Sequence, residues 1–481
     1  MDKITLDKYQ KKVIKNRSKN LLVVAGAGSG KTLTIVYKIK NLIKKGISPE
    51  EILCVTFTKA AAQSLQIKLK KEDIYLNVKT FHSLGYQIIK TTHYKTIVKE
   101  NILDDIIMNH LNKYSNLNYL INAHFIEFGH GNSKLIKNCI LKNTSYIKYF
   151  KDTIKTFINL FKSNNYTLDS FKTFFKINNE TNYIIKQKRH NAFLKLVRQI
   201  YINYEDYLNR TNQIDFHDMI NKATNIVNKE GIYPYKYIII DEYQDTSLNK
   251  CLLIKAIQNK TNASLIAVGD DWQSIYRFTG SNLEIFTNFK DYFPKAKILK
   301  LKNTYRNSQE LINLTHKFIM KNPYQINKKI LSYKTNKTPI HIYYYKKSIK
   351  EVWNQISNNL KEETFILGRN NKDKQIIPSM SKNMKFMTAH KSKGLEAQNV
   401  VIINLENSVT SFPSKIEDSE YLNYVIPKED DYPYAEERRL FYVALTRAKS
   451  TVTLLVNKNN PSIFVTELLK DSKQYIKIIN E

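Results

Sequence analysis

Lys31 and Thr32 are the first residues in the chain whose types and positions together suggest chemistry. They close the glycine-rich stretch GAGSGKT, which follows an apolar run from Leu21 to Val24. With Ala25 in place of the first glycine, the spacing fits a phosphate-binding P-loop between a strand and a helix. Lys31 would meet the β- and γ-phosphates, and Thr32 would hold Mg²⁺. The expected nucleotide contacts are Ala25, Gly26, Ala27, Gly28, Ser29, Gly30, Lys31 and Thr32.

A glycine-rich turn before an amphipathic helix is the simpler interpretation of this stretch. A turn alone, however, does not need a lysine and then a threonine at the start of the helix. The loop leaves open whether the nucleotide serves a kinase, a switch or a motor.

Paired carboxylates follow a second apolar run, Tyr237–Ile240. In P-loop proteins an acid at the end of such a strand binds Mg²⁺, here Asp241, and a second acid accepts a proton from attacking water, here Glu242. After the next predicted strand, Gln273 is placed to sense a γ-phosphate. Acidic turns after strands are common, but one that follows a P-loop upstream is much rarer.

Polar and aromatic side chains follow several predicted strands at the edge where open α/β sheets meet their ligands. The run from Tyr276 to Phe278 suits stacking on bases, worth ~1–3 kcal/mol per base, although one of its rings could instead belong to the core. A histidine in this position is more often structural than functional. The residues expected to touch an extended ligand are Thr58, Thr80, Phe81, His82, Tyr276 and Phe278.

Length and charge limit the class of protein. A chain of 481 residues predicts roughly two to four domains. The net charge of +33 favours a polyanionic partner such as nucleic acid, with a diffuse lysine-rich surface as the alternative. Three widely spaced cysteines argue against a disulfide framework. The sequence shows neither a long apolar run nor a signal-peptide core, so we expect a soluble, cytoplasmic protein.

The alternation of strands and helices predicts an α/β fold with two parallel-sheet domains. We expect the first domain at 1–90 and 206–290, a helical insertion at 91–205, and a second domain at 291–481 that begins with the strand KILKL near Lys297. The aromatic residues of the insertion are expected to form its core rather than a platform for bases.

Nine motifs, taken in order, resemble those of the UvrD/Rep/PcrA group of superfamily 1 helicases, with GDDWQSIY closest to helicase IV-like members. The motifs are Gln10, GAGSGKT, TFTKAAA, TFHSLG, DEYQDTS, GDDWQSIY, NTYRNS, MTAHKSKGLE and EERRLFYVALTRAK. The resemblance implies two RecA-like domains that close on ATP and move 3′ to 5′ along single-stranded DNA.

The same resemblance implies roles for residues of both halves. Gln10 would read adenine, Tyr305 would stack on it, and Glu396 would contact the ribose. Arg306 and Arg447 would reach the γ-phosphate as arginine fingers, a role worth ~10³–10⁵ in rate. Thr388 and His390 would contact the nucleic acid.

Three features depart from the family pattern. Thr279 and Leu33 each stand at a position where family members often have arginine. The missing arginine at position 33 predicts weaker stacking on adenine. Only 14 positions separate Asp373 from Met387, where larger relatives insert a helical subdomain.

Two alternatives to a helicase remain. One is a translocase that strips proteins from single strands with little unwinding, and the other is a DNA-gated ATPase switch in a repair or defence complex. The expected partners are single-stranded DNA, single-strand/duplex junctions and repair or defence proteins. Neither a membrane nor a small-molecule substrate beyond ATP is expected.

Overall fold

The computed structural model describes residues 5–90, 96–112, 144–180, 183–229, 231, 233–428 and 430–480. The chain opens with α1 (Lys8–Lys15), β1 (Asn20–Val24), α2 (Lys31–Ile43), β2 (Ile52–Thr56), α3 (Lys59–Lys70), β3 (Val78–Thr80) and α4 (Phe81–Lys90). β1 is buried on both faces, which explains why its apolar residues run continuously instead of alternating. Asp7 caps the N-terminus of α1, and its carboxylate accepts the backbone N–H groups of Tyr9 and Gln10.

A helical insertion follows, with its ends tied together by a two-stranded ladder. It contains β4 (Thr96–Ile97), α5 (Ile102–Asn112), α6 (Thr144–Ser163), α7 (Ser170–Asn179), α8 (Ile184–Arg210) and β5 (Gln213–Ile214), with β4 parallel to β5. The last long helix runs continuously across the boundary expected at 205/206.

The chain then returns to the first sheet. The elements are α9 (Phe216–Lys229), β6 (Tyr237–Ile240), α10 (Leu248–Thr261), β7 (Ser264–Gly269), α11 (Glu284–Thr287), α12 (Phe289–Tyr292) and β8 (Lys297–Lys300). The sheet has the order β3-β2-β6-β7-β1-β8, and its paired strands are all parallel. We call this sheet and its helices the first unit.

The strand at Lys297–Lys300 corrects one expectation. It was predicted to open the second domain, but it pairs with β1 at the edge of the first sheet, with Leu21 opposite Lys297. Three of its four residues are exposed and Leu299 is buried, as an edge strand with one covered face requires. Sheet membership is set by this distant pairing, which the local pattern does not contain.

The second unit is built on another six-stranded sheet. Its elements are α13 (Gln309–Ile319), β9 (Ile340–Tyr345), α14 (Lys350–Asn359), β10 (Thr364–Gly368), β11 (Met384–Thr388), β12 (Ala397–Leu405), α15 (Ala435–Leu445), β13 (Ala448–Asn457), α16 (Ile463–Ser472) and β14 (Ile476–Asn480). The strand order is β11-β10-β12-β13-β9-β14, again with parallel pairs. The α/β fold with two parallel, RecA-like sheets is therefore confirmed.

The link between β10 and β11 is short and fully described. It holds a single 3₁₀ helix, Asn371–Ile376, before β11 begins at Met384. No helical subdomain is inserted at this point of the second unit.

The insertion has its own apolar core. Rings from three helices pack at centroid distances of 5.0–6.3 Å, which confirms that these aromatic residues are structural; the buried ones include Phe150, Phe157, Phe161, Phe171, Phe174 and Phe193. Beside this core, Lys162 is 2% exposed and its ammonium contacts Glu205, Asp215 and Asp218. These three carboxylates could hold a metal ion by their spacing, but the lysine already supplies the cation.

Among the described helices, none combines the length and the apolar character that crossing a bilayer requires.

Candidate nucleotide site and nucleic-acid interface

The glycine-rich loop lies between β1 and α2, as the spacing predicted. Gly28 and Gly30 have φ angles of 68° and 75°, a left-handed conformation that favours glycine. A Cβ added at Gly28 would lie 2.5 Å from Cβ of Arg306, so this loop and the second unit approach closely. The hydroxyl oxygen of Ser29 is buried without a hydrogen-bond partner. Such an unpaired group suits a phosphate oxygen.

The paired carboxylates lie opposite the loop. Lys31 Nζ is 3.0 Å from Glu242 Oε2, and Thr32 is half-buried beside it in sequence. Glu242 has a φ of 52°, an uncommon conformation for a residue with a side chain, which turns its carboxylate towards Lys31. Asp241 Oδ1 accepts the backbone N–H of Glu242 at 2.9 Å.

Burial and neighbouring charges separate the two acids. Burial, and then the charge of Glu242, raises the pKa of Asp241 to about 7. Burial alone would raise the pKa of Glu242, but Lys31 and Lys393 outweigh it and lower this pKa to about 2. The two lysines therefore stabilise the ionised form of Glu242, the form that a proton acceptor requires.

Gln273 connects the two units. Its Nε2 donates to Asp270 Oδ2 at 2.5 Å, and its Oε1 accepts from an Arg447 NH2 group at 3.1 Å. Arg447 is 1% exposed, and burial, with the nearby charge of Arg306, lowers its pKa to about 9. Other guanidinium N–H groups donate to the carbonyls of Val443 and Leu395.

Arg306 lies beside the glycine loop on the second-unit side. Its Nε donates to Glu396 Oε2 at 2.8 Å, and an NH1 group donates to the carbonyl of Thr446 at 3.2 Å. Glu396 also contacts Lys449, at 3.0 Å. The structure thus brings Arg306, Arg447 and Glu396 to one side of the P-loop.

Gln10 and Tyr305 flank the entrance to the loop. A Cβ added at Gly30 would lie 2.7 Å from Gln10 Nε2 and 3.9 Å from the Tyr305 ring. The Gln10 carboxamide is buried, where its oxygen accepts the Asp7 N–H and its nitrogen lies 3.5 Å from the Ser29 carbonyl. Tyr305 is 44% exposed, and its hydroxyl donates to Asp7 Oδ2 at 2.8 Å.

Three rings meet where both units border the predicted nucleic-acid surface. Phe278 is 48% exposed and makes edge contacts with His390 at 5.8 Å and Tyr276 at 6.2 Å. Tyr276 donates its hydroxyl to the His390 carbonyl at 3.4 Å. Burial, with the charges of Arg369 and Lys393, lowers the pKa of His390 to about 4.

The remaining candidates for this surface differ in exposure. Phe81 is 1% exposed and packs on Phe57 in the core, so its ring is not available to a base and the prediction for it is corrected. Thr58 is exposed and caps α3. Thr80 and Thr388 are the last residues of β3 and β11, and both are buried. The His82 ring packs edge-on against the Phe216 ring, with centroids 5.2 Å apart.

Two lysines of the site were missed by the sequence reasoning. Lys393 Nζ contacts Asp245 Oδ2 at 2.5 Å and the Gln273 carbonyl at 2.7 Å, and it lies 4.7 Å from the Tyr276 ring. Lys328 contacts Asp271 Oδ1 at 2.7 Å from the second unit. In a lysine-rich chain a single lysine carries no signal, and only its partners single it out.

Comparisons with known proteins agree with this arrangement. The sequence model of the UvrD/REP helicase N-terminal domain matches residues 6–294, more than half of the chain. The chain belongs to the UvrD/Rep helicase family. A second model, the viral superfamily 1 RNA helicase core domain, matches residues 204–456.

Individual relatives within this family cover the chain to different extents. DNA helicase IV of Escherichia coli is 29% identical over 97% of this chain and 70% of its own length. ATP-dependent DNA helicase Rep of Buchnera aphidicola from Acyrthosiphon pisum is 31% identical over 68% of the chain and 47% of its own length. ATP-dependent DNA helicase PcrA of Staphylococcus aureus is 25% identical over 78% of the chain and 50% of its own length. The chain thus spans about half the length of its Rep and PcrA relatives.

Proposed function

We propose that this protein is an ATP-dependent DNA helicase or translocase that moves 3′ to 5′ along single-stranded DNA. The observation that carries the proposal is the placement of Arg306 and Arg447, from the second unit, against the glycine loop, Glu242 and Gln273 of the first unit. A site divided between two units links hydrolysis to their relative motion.

The proposed mechanism assigns each charged group a task. Lys31 and the two arginines share one triphosphate and hold the units together. Glu242 accepts a proton from the attacking water, and Gln273 positions that water and Arg447. Loss of the γ-phosphate removes the shared anion, so the units part.

Mg²⁺ fits the donor set at this site. The buried Asp241 carboxylate and the Thr32 hydroxyl are the oxygen ligands that this ion prefers. When bound, the ion would polarise the phosphoryl oxygens and offset developing negative charge. Asp241 and Thr32 would hold it.

The nucleic-acid surface would consist of Tyr276, Phe278 and His390. Stacking on exposed rings is tolerant of base sequence, as movement along a strand requires. Thr58, Thr80, His82 and Thr388 remain candidates for its border, with lysines supplying salt-dependent contacts to phosphates.

The first test compares ATP hydrolysis with single-stranded DNA, duplex DNA and RNA side by side. We expect single-stranded DNA to stimulate turnover most. An unchanged ATPase rate in the presence of every nucleic acid would contradict the proposed motor. It would also contradict the alternative of an ATPase switch that DNA controls. Stronger stimulation by RNA would instead favour an RNA helicase, the activity in the name of the second matching model.

A translocase that unwinds poorly is the second candidate, because no subdomain is inserted between β10 and β11. Strand displacement and streptavidin displacement separate the two. Displacement of streptavidin from the 5′ end, with little strand separation, would support the translocase. Displacement from the 3′ end alone would contradict the proposed direction.

A further inference from the structure

A segment of the second unit leaves its sheet and docks in the helical insertion. We call residues 415–428, between β12 and α15, the strap; they include the 3₁₀ helix Glu420–Tyr424. Three strap residues, Tyr421, Leu422 and Val425, are 3%, 6% and 1% exposed within the core of the insertion. The Tyr421 ring stacks on Phe193 with centroids 4.2 Å apart.

Polar contacts fix the strap in one register. Asn164 Nδ2 donates to the Val425 carbonyl at 2.7 Å, and the Tyr424 hydroxyl lies 2.8 Å from His190 Nδ1. Glu420 contacts Arg189 and lies 3.2 Å from Lys186 Nζ. Stable protein interfaces have the same composition, an apolar core with directed hydrogen bonds around it.

The strap also passes the predicted strand surface. Arg277, between Tyr276 and Phe278 in sequence, contacts Asp418 at 2.5 Å and Glu436 at 3.1 Å. The strap therefore starts beside the exposed rings and ends in the insertion. The insertion is joined covalently to the first unit, and the first unit contacts the second unit at the P-loop.

These four connections form a closed circuit of first unit, insertion, strap and second unit, and the strap begins next to Arg277, which lies between Tyr276 and Phe278 in sequence. We propose that the strap closes this circuit around a single nucleic-acid strand, so that the protein encircles and retains the strand between steps. This inference rests on the proposed function, because it takes the exposed rings to be the strand surface.

The test asks whether the strand is linked topologically. Lys186 and Glu420, an ion pair within reach of a short linker, are replaced by cysteine, Cys139 is replaced by serine, and the pair is joined with a bismaleimide. Cys54 and Cys251 are buried and stay unmodified. Cross-linked after loading onto circular single-stranded DNA, the protein should survive a high-salt wash, whereas salt should strip it from the same DNA linearised.

The matched control joins Asp169→Cys to Lys172→Cys, an ion pair inside the insertion that does not span the circuit. This protein should be washed from both DNA forms, because its strap is held only by non-covalent contacts that can open, and salt weakens its contacts to phosphates. Cross-linking the strap pair before loading should block binding to circles while linear DNA still threads.

Loss of the strap-linked protein from circles at the same rate as from linear DNA would overturn the inference. A second variant, Tyr421→Ala, should leave circular DNA about tenfold faster than the unaltered protein, because weakened interfaces show mainly in dissociation rates. Tighter binding and faster turnover in this variant would instead show an autoinhibitory strap. ATPase stimulation of the unaltered protein by a short oligonucleotide tests the proposed function separately.

Discussion

The two halves of this molecule meet in two places that differ in chemistry. At the P-loop seam, the partners are buried charges and amides, such as Arg447 with Gln273 and Lys393 with Asp245. At the strap, the main partners are rings and aliphatic side chains, with Tyr421 stacked on Phe193. Charged partners keep their energy only while the pairing is intact, whereas apolar burial is not directional.

This difference indicates a division of labour. A seam of charges can exchange its partners for a triphosphate and then lose them, which suits a contact that opens and closes. An apolar contact has no charged groups to bind a triphosphate, and it is more stable buried than exposed to water. We therefore expect substitutions at the seam to change turnover, and substitutions at the strap to change stability and retention.

The largest effect should come from Arg447→Lys. Lysine keeps the charge but loses the planar fork that contacts several acceptors at once, so turnover should fall by ~10³–10⁵ in DNA-stimulated ATPase assays. The matched control is Arg438→Lys on α15, the helix that precedes Arg447; Arg438 is also buried, and it contacts Glu467 at 2.8 Å. Equal losses in both variants would show that Arg447 acts through packing alone.

Glu242→Gln should lower turnover by ~10²–10⁴ because the amide does not accept a proton. ATP binding should persist, as measured with a fluorescent nucleotide. Glu72→Gln, which disturbs an ion pair with Lys40 in the same unit, serves as the control and should leave turnover unchanged. A Glu242→Gln protein that still turns over at the normal rate would remove this residue as the base.

At the strap, Tyr421→Ala should destabilise the protein by ~3–5 kcal/mol, the usual cost of deleting a buried ring. Thermal or chemical unfolding measures this loss, and ATPase activity per folded molecule on a short oligonucleotide should change little. Tyr183→Ala, an exposed tyrosine in the same insertion, should cost almost nothing. A large fall in turnover without loss of stability would contradict the division between seam and strap.

The sequence was sufficient where the geometry is local. The spacing of Gly28, Gly30 and Lys31 predicted the loop between β1 and α2, and the apolar run before Asp241 predicted where the carboxylates emerge. Alternating strands and helices predicted two parallel sheets, which the structure confirms. Each of these features depends on neighbours within one turn or one strand.

Features that depend on distant partners were not predictable. The strand at Lys297–Lys300 was assigned to the wrong sheet because its partner, β1, lies far upstream. Phe81 follows a strand end as a ligand-binding ring would, but contact with Phe57 places it in the core. The strap was missed because Tyr421 finds Phe193 only after folding; the apolar spacing of Tyr421, Leu422 and Val425 was its one signal in the sequence.

Removing the Tyr305 ring should have a smaller effect. Tyr305→Ala loses stacking worth ~1–3 kcal/mol, so the KM for ATP should rise while kcat stays nearly constant. Tyr305→Phe keeps the ring and loses only the hydrogen bond to Asp7, and its KM should rise less. Tyr324→Ala, an exposed tyrosine of the second unit, is the control. A fall in kcat alone would show that Tyr305 acts in the chemical step and not in binding adenine.

The smallest effect concerns the pH dependence of the strap contact, which a local measurement can follow. Burial, with the charges of Lys186 and Arg189, lowers the pKa of His190 to about 4, so the docked strap favours the neutral imidazole. The undocked state binds the proton more readily, and stability of the contact is therefore lost as pH falls from about 6.5 towards 4.

Hydrogen exchange of the strap amides should thus be faster at pH 5.5 than at pH 7.5 after correction for intrinsic rates. His190→Gln should remove most of this pH dependence, because glutamine does not titrate. Its persistence would assign the effect to Glu420, which faces the same imidazole. The comparison with the seam does not isolate this effect, because burial raises the pKa of Asp241 to about 7 and that of Asp245 to about 6, so the seam titrates in the same range. The His190→Gln variant therefore carries the test.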